Sequence, residues 1–93
     1  MARNILWETP QEINYEISKR VKNIRKRQKI SQQKLSEMSN VSYGSIKRFE
    51  TTGDISLISL TRIAVALGLA DDLKNLFTDI PYTNIQEVIN ENR

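Results

Sequence analysis

Apolar residues recur along most of the chain at intervals of three and four positions, which is the repeat of an amphipathic α-helix. The clearest series is Ile13, Ile17, Val21 and Ile24, with basic residues on the opposite helix face. The alternating pattern of a half-buried β-strand is weak throughout. The pattern therefore predicts an all-α fold.

Capping residues divide this pattern into five core helices. Thr9, Pro10 and Glu12 form a helix start, because threonine is a good N-cap, proline suits the first helical position and glutamate closes a capping box. Serines and turn-forming residues mark the later starts and stops, with Asn40 expected in the left-handed conformation and Gly53 and Gly68 expected to end helices. The predicted helices span residues 10–28, 32–39, 43–51, 57–67 and 71–77, and the later N-caps are Ser31, Ser42 and Ser56 or a neighbour.

The same spacing predicts which side chains form the core. Each helix contributes the residues that fall on one face, and the residue after Asn40 is expected to point inward as well. Beyond the first helix, the predicted core residues are Leu35, Met38, Val41, Ile46, Phe49, Leu57, Leu60, Ile63, Ala64, Leu67, Leu73, Leu76 and Phe77.

The 93 residues are enough for one domain with short appendages. We predict an N-terminal arm over 1–9, a helix-turn-helix domain over 10–78 and a C-terminal extension over 79–93, whose short helix begins with a capping box at Thr83 and Gln86. No apolar run reaches the roughly 18 residues of a membrane span, and the first residues lack a signal-peptide pattern. A cytoplasmic protein without a membrane partner is expected.

Cysteine and histidine are both absent. This excludes disulfides, thiol nucleophiles, imidazole bases and nearly all zinc sites. The remaining carboxylates, lysines and hydroxyls are scattered over polar helix faces. The sequence therefore predicts a protein that is not an enzyme and uses no metal or cofactor.

Charge is distributed unevenly along the chain. Residues 1–50 contain eleven of the 14 basic residues and five of the 11 acidic ones, and the stretch from Lys19 to Lys34 has eight bases and no acid. A basic first half and an acidic second half indicate a polyanionic partner for the first half. A basic helix face that only contacts solvent is the alternative.

The segment from Ser31 to Glu50 reads SQQKLSEMSNVSYGSIKRFE. Two short helices, each preceded by a serine cap, meet here at a tight turn, so that the N-terminus of the second helix is exposed. This segment, with RKRQKISQQKL before it and ISLISLTRIAVALGL after it, resembles the lambda-repressor-like helix-turn-helix family of Cro and Xre-type regulators. The resemblance covers about Ile17 to Phe77 and implies a compact five-helix bundle that binds double-stranded DNA.

The resemblance also implies roles for individual residues. The base-reading positions of the second helix are Tyr43, Gly44, Lys47 and Arg48, and the phosphate-contacting positions are Gln32, Ser42 and Ser45. Arg48 and Lys47 either bind guanine or contact phosphate, and Tyr43 either contacts a thymine methyl group or packs on the scaffold. Gly44 either permits close approach to DNA or is merely tolerated, and Gln32 is otherwise an exposed polar residue.

Family members often pair an arginine of the first helix with a glutamate that ends the recognition helix. Arg25 and Glu50 match those positions, so the resemblance implies a partly buried ion pair, the alternative being two independent exposed charges. The chain departs from the family pattern in having Asn40 where glycine is usual and in lacking a frequent proline after Asp54. No phosphate contact is assigned to that loop.

One recognition helix reads few base pairs, so a homodimer on a palindromic operator is expected. Candidate dimer surfaces are Ile5-Leu6-Trp7 and Ile85, Val88 and Ile89, which alternatively cap the core. The leading hypothesis is a transcriptional repressor. One alternative is the antitoxin of a toxin–antitoxin pair, because the segment after Thr52 resembles the HipB-like branch, and the other is a protein-interaction or RNA-binding module.

Overall fold

The computed structural model describes residues 8–79, and all regular structure within that range is helical. Five helices follow in order: α1 (Pro10–Arg27), α2 (Gln32–Ser39), α3 (Tyr43–Thr52), α4 (Leu57–Ala66) and α5 (Ala70–Lys74). The predicted all-α five-helix bundle is confirmed. The predicted helix over residues 83–89 and the apolar segment 5–7 lie outside the described residues. Between residues 8 and 79, no helix is long and apolar enough to cross a membrane.

Helix α1 begins at the predicted capping box. The Glu12 backbone N–H donates to Thr9 Oγ1 at 3.1 Å, and the Thr9 backbone N–H donates to Glu12 Oε1 at 2.8 Å. Pro10 occupies the first helical position, where its missing N–H would have no helical partner. Three basic residues lie in the last turn, where the partial negative charge of the helix C-terminus favours them.

The serine caps and the turn residues also lie where the pattern predicts them. Ser31, Ser42 and Ser56 each accept a hydrogen bond from the backbone N–H three residues later, at 2.9, 3.1 and 3.2 Å. Asn40 has φ of 58° and ends α2, and Gly53 has φ of 87° and ends α3. These local contacts decide where α2, α3 and α4 begin and where the chain turns.

The core lies between α2, α3 and α4, with α1 packed against α3. The buried apolar side chains are Leu35, Val41, Ile46, Phe49, Ile63 and Leu67, and Val21 and Ile24 of α1 pack against them. Complete burial of one such side chain contributes about 1.5–3 kcal/mol. This core holds α2 and α3 at a defined angle.

Several residues predicted to be buried are exposed. Met38 is 44% exposed, because Ser39 instead completes the inner face of α2 beside Leu35. Leu57 is 68% exposed, since it is the first residue of α4 and the first turn of this helix extends beyond the core. Helix α5 ends at Lys74 and not near residue 77, so helical spacing no longer applies to Phe77, which is 89% exposed.

Partial exposure extends to two more predicted core residues. Ile13 in the first turns of α1 is 45% exposed, and Leu76 beyond the end of α5 is 49% exposed. Both lie near the ends of their elements, where fewer neighbouring helices cover them. The helical period was right for α1, but the length of its buried face was overestimated.

Candidate nucleic-acid interface

Side-chain hydrogen bonds hold the turn between α2 and α3. Asn40 adopts the left-handed conformation, and Val41 beyond it is 4% exposed in the core. Ser36 Oγ donates to the Val41 carbonyl oxygen at 2.6 Å, and the Val41 N–H donates to Ser39 Oγ at 3.2 Å. Because both polar groups of Val41 are satisfied while its side chain is buried, the turn holds the second helix in a fixed direction.

Helix α3 has one buried and one exposed face. Ile46 and Phe49 are 0% and 2% exposed, and Glu50 beside them is 5% exposed. Positions i, i+1, i+4 and i+5 share a helix face, so the four predicted base-reading positions lie together on the outer side. All four are exposed: Tyr43, Gly44, Lys47 and Arg48.

Tyr43 contacts another residue of this exposed face. The Lys47 ammonium nitrogen lies 5.1 Å from the centre of the Tyr43 ring, within the range of a cation–π interaction. Tyr43 itself is 40% exposed. The structure therefore brings two of the predicted base-reading residues into direct contact, a pairing that is not among the sequence-based predictions.

Gly44 has open space around it. A Cβ atom at this position would have no heavy atom within 4 Å, and its φ is not in the left-handed region. Glycine inside a helix is less favourable than alanine by up to about 1 kcal/mol. Neither internal packing nor backbone conformation within the described residues requires this glycine.

The predicted phosphate-contacting serines form one small cluster at the start of α3. Ser42 Oγ accepts from the Ser45 backbone N–H and donates to Ser45 Oγ at 2.7 Å. Both side chains are exposed. The partial positive charge of a helix N-terminus favours an anion at this end of α3.

Arg25 and Glu50 form a buried ion pair. Arg25 Nε donates to Glu50 Oε2 at 2.7 Å and Nη2 donates to Oε1 at 3.0 Å, while Nη1 donates to the Ile30 carbonyl oxygen. The two side chains are 9% and 3% exposed. The pair joins α1 to the end of α3 and so helps to set the direction of the exposed face.

The second partner of Glu50 is Gln32, the predicted phosphate-contacting residue of α2. Gln32 Nε2 donates to Glu50 Oε1 at 2.8 Å. Since an amide nitrogen carries two hydrogens, this bond leaves Gln32 a second donor. Burial alone would raise the pKa of Glu50, but hydrogen bonds from Arg25 and Gln32 together with the charge of Arg25 outweigh it, so the pKa of Glu50 is lowered.

Asp54 was not among the predicted site residues, yet it contacts one of them. Its Oδ2 lies 2.7 Å from Arg48 Nη2. The available signal was Gly53, because a left-handed residue that ends a helix turns the chain back beside the last helical turn. Gly53 was predicted only as a helix terminator, and the position of Asp54 beside the last turns of α3 follows from the same left-handed residue.

Comparison with known families agrees with this geometry. A helix-turn-helix family model of the Cro/C1 type matches residues 21–73, more than half of the chain. The match extends from the second half of α1 into α5 and includes the whole α2–turn–α3 unit. The family is one of DNA-binding domains and not of enzymes. A comparison with curated proteins gives no match.

Proposed function

Because the chain belongs to the lambda-repressor-like helix-turn-helix family of DNA-binding regulators, we propose that it is a transcriptional repressor that binds a palindromic operator as a homodimer. The observation that supports this most directly is the exposed face of α3, where Tyr43, Gly44, Lys47 and Arg48 lie side by side above a buried opposite face. A helix of this kind fits the major groove of B-DNA, which presents a distinct donor and acceptor pattern for each base pair.

Each residue of that face has a role in this proposal. Arg48 donates two parallel hydrogen bonds to guanine O6 and N7, and Lys47 donates to guanine or to a neighbouring acceptor. The Tyr43 ring contacts a thymine methyl group. Gly44 lets the backbone approach the DNA, which accounts for a glycine that nothing inside the described part of the protein requires.

The phosphate contacts determine how α3 is oriented in the groove. The second amide hydrogen of Gln32 and the hydroxyls of Ser42 and Ser45 bind phosphate oxygens on either side of the reading face. Such contacts fix the position of a protein on the duplex but do not distinguish one sequence from another. The basic first half adds affinity that decreases with salt concentration.

The second copy is proposed to meet the first through α4. Leu57 and Ile58 in its first turn are 68% and 59% exposed. Ser56 and Ser59 of the same turn line a groove shared with Arg48, so the start of α4 lies close to the reading face. Two copies in contact there present both α3 helices to two half-sites about one helical turn apart, roughly 34–36 Å.

Selection from a random duplex library at about 150 mM salt tests the DNA-reading role, since non-specific binding is weakened there. We expect the wild-type protein to enrich a palindromic site. The sites selected by Arg48→Ala should lose the base preference at one position in each half-site. Arg20→Ala is the matched control, because Arg20 is exposed on α1 and lines a groove with α4 and α5 instead of α3. Failure of the wild-type protein to enrich any sequence would refute the proposed function.

Sedimentation equilibrium of the free protein and its operator complex tests the α4 surface. We expect Leu57→Ser and Ile58→Ser to weaken the dimer. Met38→Ser is the control, since it removes a partly exposed apolar side chain from α2 and not from α4. A dimer that Met38→Ser disrupts and the α4 variants do not would place the interface elsewhere.

A further inference from the structure

Arg48, the proposed guanine-binding residue, is already paired in the free protein. Its Nη2 lies 2.7 Å from Asp54 Oδ2, and the two side chains are 70% and 62% exposed. An ion pair with this much solvent around it contributes little to folding stability. Its position at the edge of the exposed α3 face points to a role in binding.

We propose that Asp54 is a specificity-determining residue of the DNA-binding surface. Its carboxylate holds the Arg48 guanidinium in the orientation that binds a base and reduces the attraction of Arg48 for phosphate. Asp54 therefore raises discrimination between sequences and lowers total affinity for DNA. This inference rests on the proposed DNA-reading function of α3.

The backbone around Asp54 places its carboxylate with little freedom. Gly53 has φ of 87° and packs so closely on α1 that a Cβ atom there would lie 2.6 Å from the backbone nitrogen of Tyr15. The Asp54 N–H donates to Thr52 Oγ1 at 3.1 Å, and Thr52 Oγ1 donates to the Arg48 carbonyl oxygen at 2.7 Å. Asp54 is thus attached to the last turns of α3, and the long Arg48 side chain is the partner that adjusts.

The pairing leaves Arg48 enough donors to bind a base. A guanidinium has five N–H groups in a rigid plane, and the contact with Asp54 involves Nη2 alone. The remaining donors on Nη1, Nη2 and Nε still include an adjacent pair for the two acceptors of guanine. Restriction of the free side chain also decreases the conformational entropy lost on binding.

The charge of Asp54 affects phosphate and base contacts differently. A guanidinium beside a carboxylate is close to a neutral unit, so its attraction for a phosphate anion is reduced. The edge of guanine is an uncharged pair of acceptors, so its hydrogen bonds with Arg48 depend less on net charge. Asp54 also lines the groove that includes Ser45 and Ser59, where its charge repels DNA phosphates directly.

Four proteins test this inference: the wild type, Asp54→Asn, Arg48→Ala and the double variant. Fluorescence anisotropy measures their affinity for the selected operator, for the operator with the Arg48-dependent base pair replaced, and for a random duplex. We expect Asp54→Asn to bind the random duplex more tightly and to lose about three- to tenfold of the discrimination at that base pair, a part of what one bidentate contact provides. In the Arg48→Ala background, Asp54→Asn should leave discrimination unchanged.

Asp72→Asn is the matched control for net charge, because Asp72 is an exposed acid of α5 in the groove with Arg20. It should leave discrimination at the wild-type level. If the wild type discriminates and Asp54→Asn discriminates equally well or better, this inference is wrong and the proposed function stands. An equal loss of discrimination with and without Arg48 also overturns it. If the wild type shows no sequence preference, the proposed function itself fails.

Discussion

Replacing Arg25 by methionine removes the guanidinium from the buried pair while keeping most of the side-chain length. Glu50 then loses both hydrogen bonds from Arg25 and retains the one from Gln32. The Ile30 carbonyl oxygen loses its donor as well. The variant therefore isolates a carboxylate whose side chain is only 3% exposed.

The expected destabilisation follows from this burial. Breaking one side of a buried ion pair costs about 3–5 kcal/mol, because the remaining charge has neither water nor an oppositely charged partner. Domains of this size have a free energy of unfolding of about 5–15 kcal/mol, so Arg25→Met loses a large fraction of the stability of the protein. At roughly 4 °C or more per kcal/mol, Tm should fall by at least about 12 °C.

Urea unfolding followed by circular dichroism at about pH 7 measures this loss. Arg20→Met is the control on the same helix, because Arg20 and Glu16 form an exposed pair at 3.8 Å that contributes at most about 0.5 kcal/mol. Arg25→Met combined with Glu50→Leu should recover most of the stability, since no buried charge remains. A loss below about 1 kcal/mol in Arg25→Met would refute the reasoning, because the pair would then behave like an exposed one.

Three further predictions concern pH and glycine. Because the pKa of Glu50 is lowered in the folded protein, its contribution to stability is present above its ordinary value of 4.5 and is lost as pH falls through the lower folded value. Urea titrations across this range should show that the free energy of unfolding of Glu50→Gln depends less on pH than that of the wild type; equal curves for the two proteins would contradict the assignment. Gly53→Ala should lower the free energy of unfolding by about 1–2 kcal/mol, because alanine disfavours the left-handed backbone. The clash of its Cβ atom with the α1 backbone should lower it by about 1–3 kcal/mol more. Gly68 has φ of 80° and open space around it, so Gly68→Ala should lose only the part that comes from the left-handed backbone. Comparing the thermal unfolding of the two variants separates the backbone effect from the clash. Gly44→Ala should raise stability by up to about 1 kcal/mol yet weaken operator binding; unchanged affinity would remove Gly44 from the reading surface.

Sequence patterns were most informative at helix ends. The capping box at Thr9 and the left-handed Asn40 and Gly53 could each be predicted from a few neighbouring residues. A cap depends on hydrogen bonds that span three or four residues and on the steric limits of one backbone position. These features were therefore available before any tertiary contact was known, and with the helical period they were enough to predict an all-α fold. The family was indicated by the resemblance of the segment from Ser31 to Glu50 and its flanking residues to known regulators.

Burial was harder to predict, as α2 illustrates. Met38 and Ser39 are adjacent, and helical spacing from Leu35 allows either one to face inward. The structure buries the serine, whose Oγ donates to the Leu35 carbonyl oxygen at 2.6 Å, and exposes the methionine. The rotation of a short helix is decided by the helices that pack against it, and the apolar character of one residue does not outweigh them.

The sequence by itself determined the local elements of this protein: where its helices begin, where the chain turns, and which residues of α3 share a face. Only the tertiary structure decided which partners those residues have. Gln32 donates to Glu50, 18 residues away, and Arg48 pairs with Asp54 across the end of α3. The physical reason is range: caps and helical period arise within one or two turns, whereas these contacts depend on how the packed core directs each helix and each loop.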